Sequence, residues 1–217
     1  MNYSVVEVMH NVDLSPAPRI PKTRDVMKSY RKPLTTWVET ELETDGNGTP
    51  DRVHVSKRTR RRYNSGVYDL TLDTAFAAVI EGCAAPRSAD EGTWITPGMA
   101  DAYTTLHRRG HAHSLEVWAD GELAGGIYGL ALGGVFFGES MFSRRTDASK
   151  IALIALCRLL AAHGYGLLDC QVENDHLLRM GAERIAREAF EAELERLVDQ
   201  AVDATFWRAS RLQPERW

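Results

Sequence analysis

The chain has 217 residues, a formal net charge of −4 and 44% hydrophobic residues, a composition typical of one globular domain or of two small ones with a shared interface. Its longest apolar run, residues 151–157, stops at Arg158, far short of the roughly 18–20 residues that a membrane span needs. Three cysteines without a C-x-x-C pair, and a start that lacks a signal-peptide pattern, favour free thiols in the cytoplasm.

The first 50 residues differ in character from the rest. Prolines at positions 16, 18, 21, 33 and 50 interrupt any regular element, and residues 45–48 have the composition of a tight turn. We therefore predict an arm or a small subdomain over residues 1–51, followed by the main domain over residues 52–217.

A dense basic block follows, in which Ser56 can cap a helix that carries Lys57, Arg58, Arg60, Arg61 and Arg62. A solvated helix face is the usual reason for such a run, and a polyanion-binding patch is the alternative. The overall charge of −4 does not exclude the alternative, because a mildly acidic protein can hold a polyanion at one positive patch.

The next segments alternate between strand and helix patterns. Residues 67–72 have the alternation of a strand, and Asp73 can cap a helix over residues 74–83. Thr96 or Pro97 opens another helix, which continues through residue 107. An antiparallel meander is then predicted, with a turn at residues 119–122 and strands at residues 114–118, 123–132 and 135–142.

The C-terminal third adds helices to the predicted sheet. Asp147 can cap a helix over residues 148–163 that is apolar nearly all round, and Gly164 ends it. The further elements are a strand at residues 167–170, a brief helix capped by Asn174 or Asp175, an edge strand at residues 184–189 and an amphipathic helix at residues 191–211. This order predicts an α+β fold that resembles the N-acetyltransferase-like (GNAT-like) architecture, with an antiparallel meander and flanking helices.

Three common catalytic patterns find little support. His111 and His113 could share one side of a strand, but neither an H-E-x-x-H motif nor a cysteine pair accompanies them, so no metal is expected. Residues 138–142 lack the G-x-S-x-G spacing of a hydrolase elbow, and Cys170 has no obvious histidine partner. The glycine pairs of the meander lack a phosphate-loop pattern and suit turns, bends or close approach of a substrate.

Three polar side chains in otherwise apolar strands are the best candidates for chemistry. Glu139, Asp169 and Gln171 would each be costly to bury, at roughly 2–7 kcal/mol for a neutral group and more for a charge. Residues two apart on a strand share a face, so Asp169 and Gln171 can lie side by side, with Cys170 turned away from them. Such a pair can orient an amine, hold an ester carbonyl or accept a proton, whereas a purely structural polar cluster is the alternative.

An ordered series of motifs then points to a family. The series covers about residues 52–195 and comprises Gly92-Thr93-Trp94-Ile95-Thr96, Ala102-Tyr103, Leu106-His107, Gly110-His111-Ala112-His113-Ser114, Glu116-Val117-Trp118, Gly125-Gly126-Ile127-Tyr128-Gly129, Gly138-Glu139-Ser140-Met141-Phe142-Ser143, Ala148-Ser149-Lys150 and Asp169-Cys170-Gln171. In this order the motifs resemble those of the bacterial leucyl/phenylalanyl-tRNA–protein transferases.

The resemblance implies an aminoacyltransferase that takes an aminoacyl group, a hydrophobic one such as Leu or Phe, from a charged tRNA. It implies a peptide bond to the α-amine of an acceptor protein with N-terminal Arg or Lys, which marks that protein for N-degron proteolysis. Neither a cofactor nor a metal is implied, because the ester is already activated and the enzyme mainly positions two substrates and manages one proton. A cytoplasmic monomer is expected.

The resemblance also implies roles for residues matched by position. Gln171 would contact the ester and the attacking amine, Asp169 would orient or polarise it, and Glu139 would help bind the basic acceptor. Trp94 and Tyr103 would stack on or hold the terminal adenosine, and the basic block would contact tRNA. The candidates for an apolar pocket around the donor side chain, which would discriminate at about 1–3 kcal/mol per methylene, are Ile127, Phe136, Met141, Leu153, Leu156 and Leu160.

The first 50 residues depart from the family pattern. Family members begin with Phe-Pro-Trp and Trp-Trp-Ser-Pro segments, whereas Trp37 is the one tryptophan in this stretch. The choice of acceptor therefore stays open. The alternatives are the same amide formation on a small-molecule or peptide acceptor in a specialised biosynthetic pathway, and a non-catalytic module that binds tRNA or N-degrons. The intact set of Glu139, Asp169 and Gln171 argues against the module.

Overall fold

The computed structural model describes residues 53–86, 93–171, 174–208 and 211–212, together with the backbone of three short strands at residues 35–39, 44–45 and 49–50. The strands are β1 (Thr35–Glu39), β2 (Thr44–Asp45), β3 (Thr49–Pro50), β4 (Asp69–Leu72), β5 (Ala112–Ala119), β6 (Glu122–Leu132), β7 (Val135–Ser143), β8 (Leu167–Asp169), β9 (Glu183–Ile185) and β10 (Arg211–Leu212). The helices are α1 (Lys57–Asn64), α2 (Phe76–Ala84), α3 (Pro97–Arg108), α4 (Ala148–Ala162), α5 (Asp175–Arg179) and α6 (Arg187–Leu197), with a 3₁₀ helix at Thr205–Arg208.

One eight-stranded sheet organises the molecule, in the order β10-β4-β5-β6-β7-β8-β1-β9. All neighbouring strands in it are antiparallel except β7 and β8, which are parallel. The predicted α+β class, with an antiparallel meander (β5, β6 and β7) and flanking helices, is confirmed.

The parallel pair opens into a gap. Strands β7 and β8 are paired over three positions, from Val135 opposite Leu167 to Phe137 opposite Asp169. Strand β8 ends there, whereas β7 continues to Ser143. In the part of the chain that the structure describes, no strand lies beside β7 on this side beyond Phe137. Sheet hydrogen bonds are therefore replaced at this point by an opening between the two strands, which we call the β7–β8 gap.

The sheet separates two hydrophobic cores. On one side, which we call the α4 face, α1, α4, α5 and the 3₁₀ helix pack together with residues such as Phe136 and Leu168. On the other side, the α3 face, α2, α3 and α6 pack with Phe137 and Leu167. Neighbouring residues on β7 and β8 thus face opposite sides, as the two-residue period of a strand requires.

Local capping chemistry explains where three of the six described α-helices begin. Ser56 Oγ accepts a hydrogen bond from the Thr59 backbone N–H at 3.2 Å, and Thr96 Oγ1 accepts one from Met99 at 3.3 Å. Asn174 Oδ1 accepts one from Leu177 at 2.9 Å. These three predicted helix starts are confirmed, because a side-chain oxygen at the cap satisfies an N–H that has no partner inside the helix.

Two predicted aspartate caps are wrong in their side-chain role. Helix α2 begins at Phe76 rather than at residue 74, and Asp73 instead accepts the Ser114 N–H at 2.8 Å and contacts His113 Nδ1 at 2.7 Å. Asp147 does precede α4, but its side chain makes no capping hydrogen bond. The carboxylate instead contacts groups distant in the chain, which are Ser114 and His113 for Asp73 and Arg62 for Asp147.

The predicted helix over residues 191–211 is also wrong. Helix α6 runs from Arg187 to Leu197, and the 3₁₀ helix follows it. Because α6 begins at Arg187, the predicted edge strand at residues 184–189 is replaced by the shorter β9. Phe206 and Trp207 in that turn are buried on the α4 face, and Trp207 stacks on His113 with ring centroids 4.2 Å apart. Burial of two large aromatic rings, with β10 pairing to β4, outweighs the local preference for a continued helix.

Strand β1 belongs to the segment that was predicted to be irregular. It joins the main sheet between β8 and β9, antiparallel to both. Residues 1–34 lie outside the described residues, so the division at residue 51 stays a prediction. Within the described part, none of the helices is both long and apolar enough to cross a membrane.

Candidate active site

The end of β8 holds the predicted carboxylate and amide together. Asp169 is the last residue of the strand and is fully buried. Its Oδ1 accepts the backbone N–H of Gln171 at 2.8 Å. Gln171 lies beyond the strand with a φ of 60°, so a turn closed by the Asp169 side chain brings the two residues together. The predicted pairing by strand alternation through residue 170 is therefore wrong in its geometry, although the two residues are neighbours.

The Gln171 side chain reaches across the β7–β8 gap. Its Nε2 donates to the Gly138 carbonyl at 3.4 Å, and Gly138 is the residue just before Glu139 on β7. The three polar residues that the sequence singled out, Glu139, Asp169 and Gln171, therefore meet at the mouth of the gap.

A β-bulge positions Glu139. Tyr128 pairs with Ser140 and Gly129 pairs with Gly138, so Glu139 is an extra residue without a partner in the β6–β7 ladder. Such an insertion reverses the alternation of the residues that follow it on β7. Gly129 makes room for it, because a Cβ at that position would lie 2.1 Å from the Phe137 carbonyl oxygen.

Glu139 faces α3, where Tyr103 Oη donates a hydrogen bond to Oε2 at 2.7 Å. The other oxygen, Oε1, is buried and has no hydrogen-bond partner among the described residues. Burial raises the pKa of Glu139 to about 7, with a further contribution from the negative charge of Asp169. The Tyr103 hydroxyl and the Gln171 amide oppose this rise. Glu139 can therefore exchange a proton near neutral pH.

Tyr128 is a member of this polar group that sequence reasoning missed. It is fully buried, its hydroxyl has no hydrogen-bond partner among the described residues, and its ring lies 5.0 Å from that of Tyr103. Burial raises the pKa of the Tyr128 hydroxyl, and Glu139 and Cys83 raise it further. The sequence feature that could have identified Tyr128 is its place in the Gly125–Gly129 motif, immediately before Gly129, which lies opposite the bulge.

The two predicted adenosine-binding residues have different environments. Trp94 is 46% exposed, just before α3, and presents an aromatic surface to solvent. Tyr103 is 0% exposed and packs in the α3-face core. A ring with no free face cannot stack on a base, so stacking by Tyr103 does not fit this structure, and its part in holding the adenosine stays a prediction. Its hydroxyl is hydrogen-bonded to Glu139.

The six predicted pocket residues share the α4 face. Ile127, Phe136, Met141, Leu153, Leu156 and Leu160 all belong to that core or pack against it. Five are buried, and Met141 is half-buried. The sheet therefore separates this apolar group from Tyr103 and Glu139 on the α3 face, and the β7–β8 gap lies between the two.

The basic block lies along α1. Thr59 and Tyr63 are buried and anchor the helix, whereas Lys57, Arg58, Arg60 and Arg61 are exposed. Arg62 is half-buried and lies beside Asp147, with its Nε 3.4 Å from Oδ2. The helix is thus held by one apolar edge and presents a row of cations to solvent, a geometry that can contact a polyanion.

The histidine pair serves packing in this structure. His113 Nδ1 lies 2.7 Å from Asp73 Oδ2, and its Nε2 lies 3.2 Å from the Gly110 carbonyl oxygen. Burial lowers the pKa of His111, and the neighbouring His113 and Arg109 lower it further. Across the described ranges, histidine, cysteine and acidic side chains form no group of three that could hold a metal ion.

Comparison with known proteins identifies one family. Its model, described as leucyl/phenylalanyl-tRNA protein transferase, matches residues 49–195. Proteins with this name are 56% identical over 178 residues in Solidesulfovibrio magneticus (78% of this chain, 72% of that protein) and 40% identical over 207 residues in Aeromonas hydrophila (92% and 85%). Another, in Chromohalobacter salexigens, is 54% identical over 161 residues, which are 74% of this chain and 63% of that protein. The chain therefore spans less than two thirds of the length of this last relative.

Solved structures with a similar backbone are more distant. A GCN5-related N-acetyltransferase from Kribbella flavida aligns with 71% of this chain and 54% of its own, at 15% identity and a TM-score of 0.41. An L-PGS structure from Bacillus licheniformis aligns with 82% of this chain and 58% of its own, at 10% identity and a TM-score of 0.43.

Proposed function

Since the chain belongs to the leucyl/phenylalanyl-tRNA–protein transferase family, we propose that it transfers the aminoacyl group of a charged tRNA to the α-amine of a protein. The donor group is hydrophobic, such as Leu or Phe, and the acceptor begins with Arg or Lys. The meeting of Asp169, Gln171 and Glu139 at the β7–β8 gap carries this proposal, because it concentrates polar groups where an activated ester and an amine can be brought together.

The reaction needs little beyond positioning. The amine nitrogen attacks the ester carbonyl and forms the C–N bond, and the C–O bond to the ribose of the terminal adenosine breaks. The proton that the amine loses goes to the ribose oxygen, directly or through a carboxyl group or water. Gln171 lies at the gap and is suited to contact the ester and the amine, and Asp169, which fixes the Gln171 backbone, orients it.

The two faces of the sheet suggest how the substrates divide. The donor side chain would lie on the α4 face among the six apolar residues, of which the half-buried Met141 is the most accessible. The cationic start of the acceptor would lie on the α3 face, where ionised Glu139 can neutralise it. The acyl carbon then lies at the gap, within reach of both.

The test offers the protein tRNAs charged with labelled Leu or Phe, and Arg-start peptides or small amines as acceptors. Label should enter the peptide. Asp169→Asn and Gln171→Ala should lower transfer by roughly 10²-fold or more if these groups act in the transition state. Glu139→Gln should raise the KM for an Arg-start peptide and leave the KM for tRNA unchanged.

The matched control is Cys170→Ala, which changes the residue between the two catalytic candidates and is expected to keep normal turnover. Near-normal turnover of both Asp169→Asn and Gln171→Ala would refute their assignment. Label that enters only small amines would favour the specialised biosynthetic reaction. Tight tRNA binding without transfer to any acceptor would favour a binding module.

The adenosine contact can be tested in the same assay. Trp94→Ala should raise the KM for charged tRNA by roughly tenfold, because stacking on one base contributes about 1–3 kcal/mol. The control is Val67→Ala, since Val67 is 51% exposed, comparable to Trp94 at 46%. Equal KM values for the two variants would exclude Trp94 from the adenosine site.

A further inference from the structure

The Asp147 carboxylate, at the start of α4, contacts basic side chains of two helices, α1 and α4. Asp147 Oδ1 lies 2.9 Å from Lys150 Nζ, and its Oδ2 lies 3.4 Å from Arg62 Nε and 4.0 Å from Arg58 Nε. The Asp147 side chain is only 9% exposed and its backbone φ is 65°. An aspartate before a helix ordinarily caps it, and this one contacts lysine and arginine instead.

Helix α5 brings further basic groups to the same place. Burial lowers the pKa of His176, and the positive charges of Lys150 and Arg179 lower it further, whereas Asp147 raises it. His176 therefore lies within electrostatic reach of all three. Arg179 is exposed, and α5 is tied to the segment before α1 by the hydrogen bond from the His54 N–H to the Met180 carbonyl at 3.0 Å.

The group has more positive than negative charge. We call Arg58, Arg62, Asp147, Lys150, His176 and Arg179 the Asp147 cluster. Three of its four lysine and arginine side chains contact the one aspartate, and the group has a charge of about +3 with His176 neutral. Like charges brought this close repel one another, so an anion that contacts them would relieve the repulsion.

The cluster lies at the catalytic end of the sheet. Strands β7 and β8 run parallel, and α4 begins just after the end of β7 at Ser143. Helix α5 begins at Asp175, four residues after Gln171. Both helix starts therefore follow strand ends on the side to which the β7–β8 gap opens. Because Arg58 and Arg62 lie on α1, the cluster adjoins the exposed row of cations on that helix.

We propose that the Asp147 cluster is a second phosphate-binding surface, which contacts the backbone of the acceptor end of the donor tRNA between the α1 row and the β7–β8 gap. This inference rests on the proposed function, because it takes tRNA as the polyanion. Lys150 and Arg179 are its distinguishing residues, since both lie outside the basic block of the sequence. Asp147 is a positioning residue that holds the Lys150 ammonium and the Arg62 guanidinium.

A structural reading of the cluster is that its ion pairs only join α1 to α4. Lys150 and Arg62 are partly exposed, with side-chain exposures of 37% and 32%, and such pairs contribute at most about 1 kcal/mol. The two readings differ in what a loss of charge does to RNA binding, and the salt dependence of binding separates them.

The experiment measures binding of uncharged tRNA by the full chain between 50 and 200 mM NaCl. Over this range the affinity of a protein with many phosphate contacts decreases about 10³–10⁵-fold, so the slope is well resolved. The variants are Lys150→Ala/Arg179→Ala and, for comparison within α1, Lys57→Ala/Arg61→Ala. The matched control is Arg187→Ala/Arg196→Ala, which removes two arginines from α6 on the opposite face, where each contacts a glutamate.

We expect Lys150→Ala/Arg179→Ala to reduce the slope of log K against log[NaCl] by roughly 1.4–1.8, since each lost phosphate contact removes about 0.7–0.9. The α1 variant should do the same, and the α6 control should keep the wild-type slope. The reduced slope of Lys150→Ala/Arg179→Ala should also be measured with an RNA hairpin that contains only the acceptor stem and its single-stranded end. Arg179→Ala alone, which leaves the Asp147–Lys150 contact intact, should remove about half of the effect.

A wild-type slope in Lys150→Ala/Arg179→Ala, with unchanged thermal unfolding, would overturn the inference. An effect that disappears with the acceptor-stem hairpin would overturn the placement at the acceptor end. Neither result depends on transfer, so the inference can fail while labelled Leu or Phe is still transferred. Conversely, a wild-type protein that binds tRNA with the expected slopes and transfers nothing would refute the proposed function alone.

Discussion

At the scale of single residues, Glu139 is the side chain whose behaviour depends most on its surroundings. A carboxyl group in water is ionised at neutral pH, whereas burial raises the pKa of Glu139 to about 7. The folded state therefore keeps a proton that the unfolded chain releases at its ordinary pKa of 4.5. A proton held preferentially by the folded state makes stability decrease as pH rises through this interval.

We predict that Glu139→Gln removes this pH dependence. In the wild-type protein the contribution of Glu139 is fully present below pH 4.5 and is lost as pH rises through about 7. The variant cannot ionise there, so its free energy of unfolding relative to wild type should increase by up to roughly 3 kcal/mol between pH 4.5 and pH 8. Urea unfolding at several pH values measures it.

The control for this measurement is Glu122→Gln, at an exposed carboxylate that lies 3.5 Å from Arg145. This variant should follow the pH profile of the wild-type protein. Parallel profiles for Glu139→Gln and wild type would mean that the pKa of Glu139 is the same in the folded and unfolded states.

At the scale of elements, the bulge between β6 and β7 determines which residues after Glu139 face each side of the sheet. Glu139 lies two residues after Phe137 and faces α3 in either register, whereas without the extra residue Met141 and Phe142 would exchange faces. With it, Met141 packs on the α4 face and Phe142 on the α3 face. Gly129 permits this arrangement because the Phe137 carbonyl occupies the space of a side chain there.

We predict that Gly129→Ala disrupts the bulge. Its Cβ would lie 2.1 Å from the Phe137 oxygen and 2.5 Å from the Phe136 ring, so backbone must move, and overpacking of this kind costs about 1–3 kcal/mol. Because the movement changes the direction of Glu139, transfer per folded molecule should also decrease, by roughly tenfold, which corresponds to about 1.4 kcal/mol. Thermal unfolding and transfer at a temperature where the variant is folded measure both effects.

Gly98→Ala provides the matched substitution, because a Cβ at Gly98, in the first turn of α3, has no atom within 4 Å. It should leave stability and turnover close to wild type. Wild-type stability and turnover in Gly129→Ala would show that the bulge can form with a side chain at that position.

At the scale of the whole molecule, the C-terminal segment completes the α4-face core. Trp207 is buried, stacks on His113 and lies 5.7 Å from the Phe136 ring. Its Nε1 donates to Tyr165 Oη at 3.2 Å. The next described residues, Arg211 and Leu212, extend the sheet beside β4. These described C-terminal residues therefore close the core on the α4 face, to which α1, α4 and α5 also contribute.

We predict that Trp207→Ala destabilises the fold by about 3–5 kcal/mol, as expected for loss of a buried large aromatic side chain. The KM for an Arg-start peptide, at a temperature where the variant is folded, should change little, because Trp207 lies on the α4 face and Glu139 lies on the α3 face. Urea unfolding measures the loss against Val67→Ala, at an exposed position. A loss below about 1 kcal/mol would contradict the burial of Trp207.

The elements that sequence patterns predicted well depend on groups close together in the chain. Ser56, Thr96 and Asn174 cap their helices through N–H groups three residues away, and composition alone is enough to recognise such contacts. Asp73 and Asp147 also precede helices and are residues of a type that caps them. The partners of their carboxylates were not predictable, because Ser114 and Arg62 contact them only after the sheet and α1 have packed.

Residue types and their order along the chain were enough to predict the candidate chemistry: Glu139, Asp169 and Gln171, a basic α1, and a motif series that specifies the family. The tertiary structure decided how they act together. Strand register left Glu139 without a partner in the β6–β7 ladder, the early end of β8 opened the gap, and the packing of α1 beside α4 assembled the ion pairs of the Asp147 cluster. These features are contacts between segments distant in the chain, whose free energy depends on burial and pairing that local sequence does not contain.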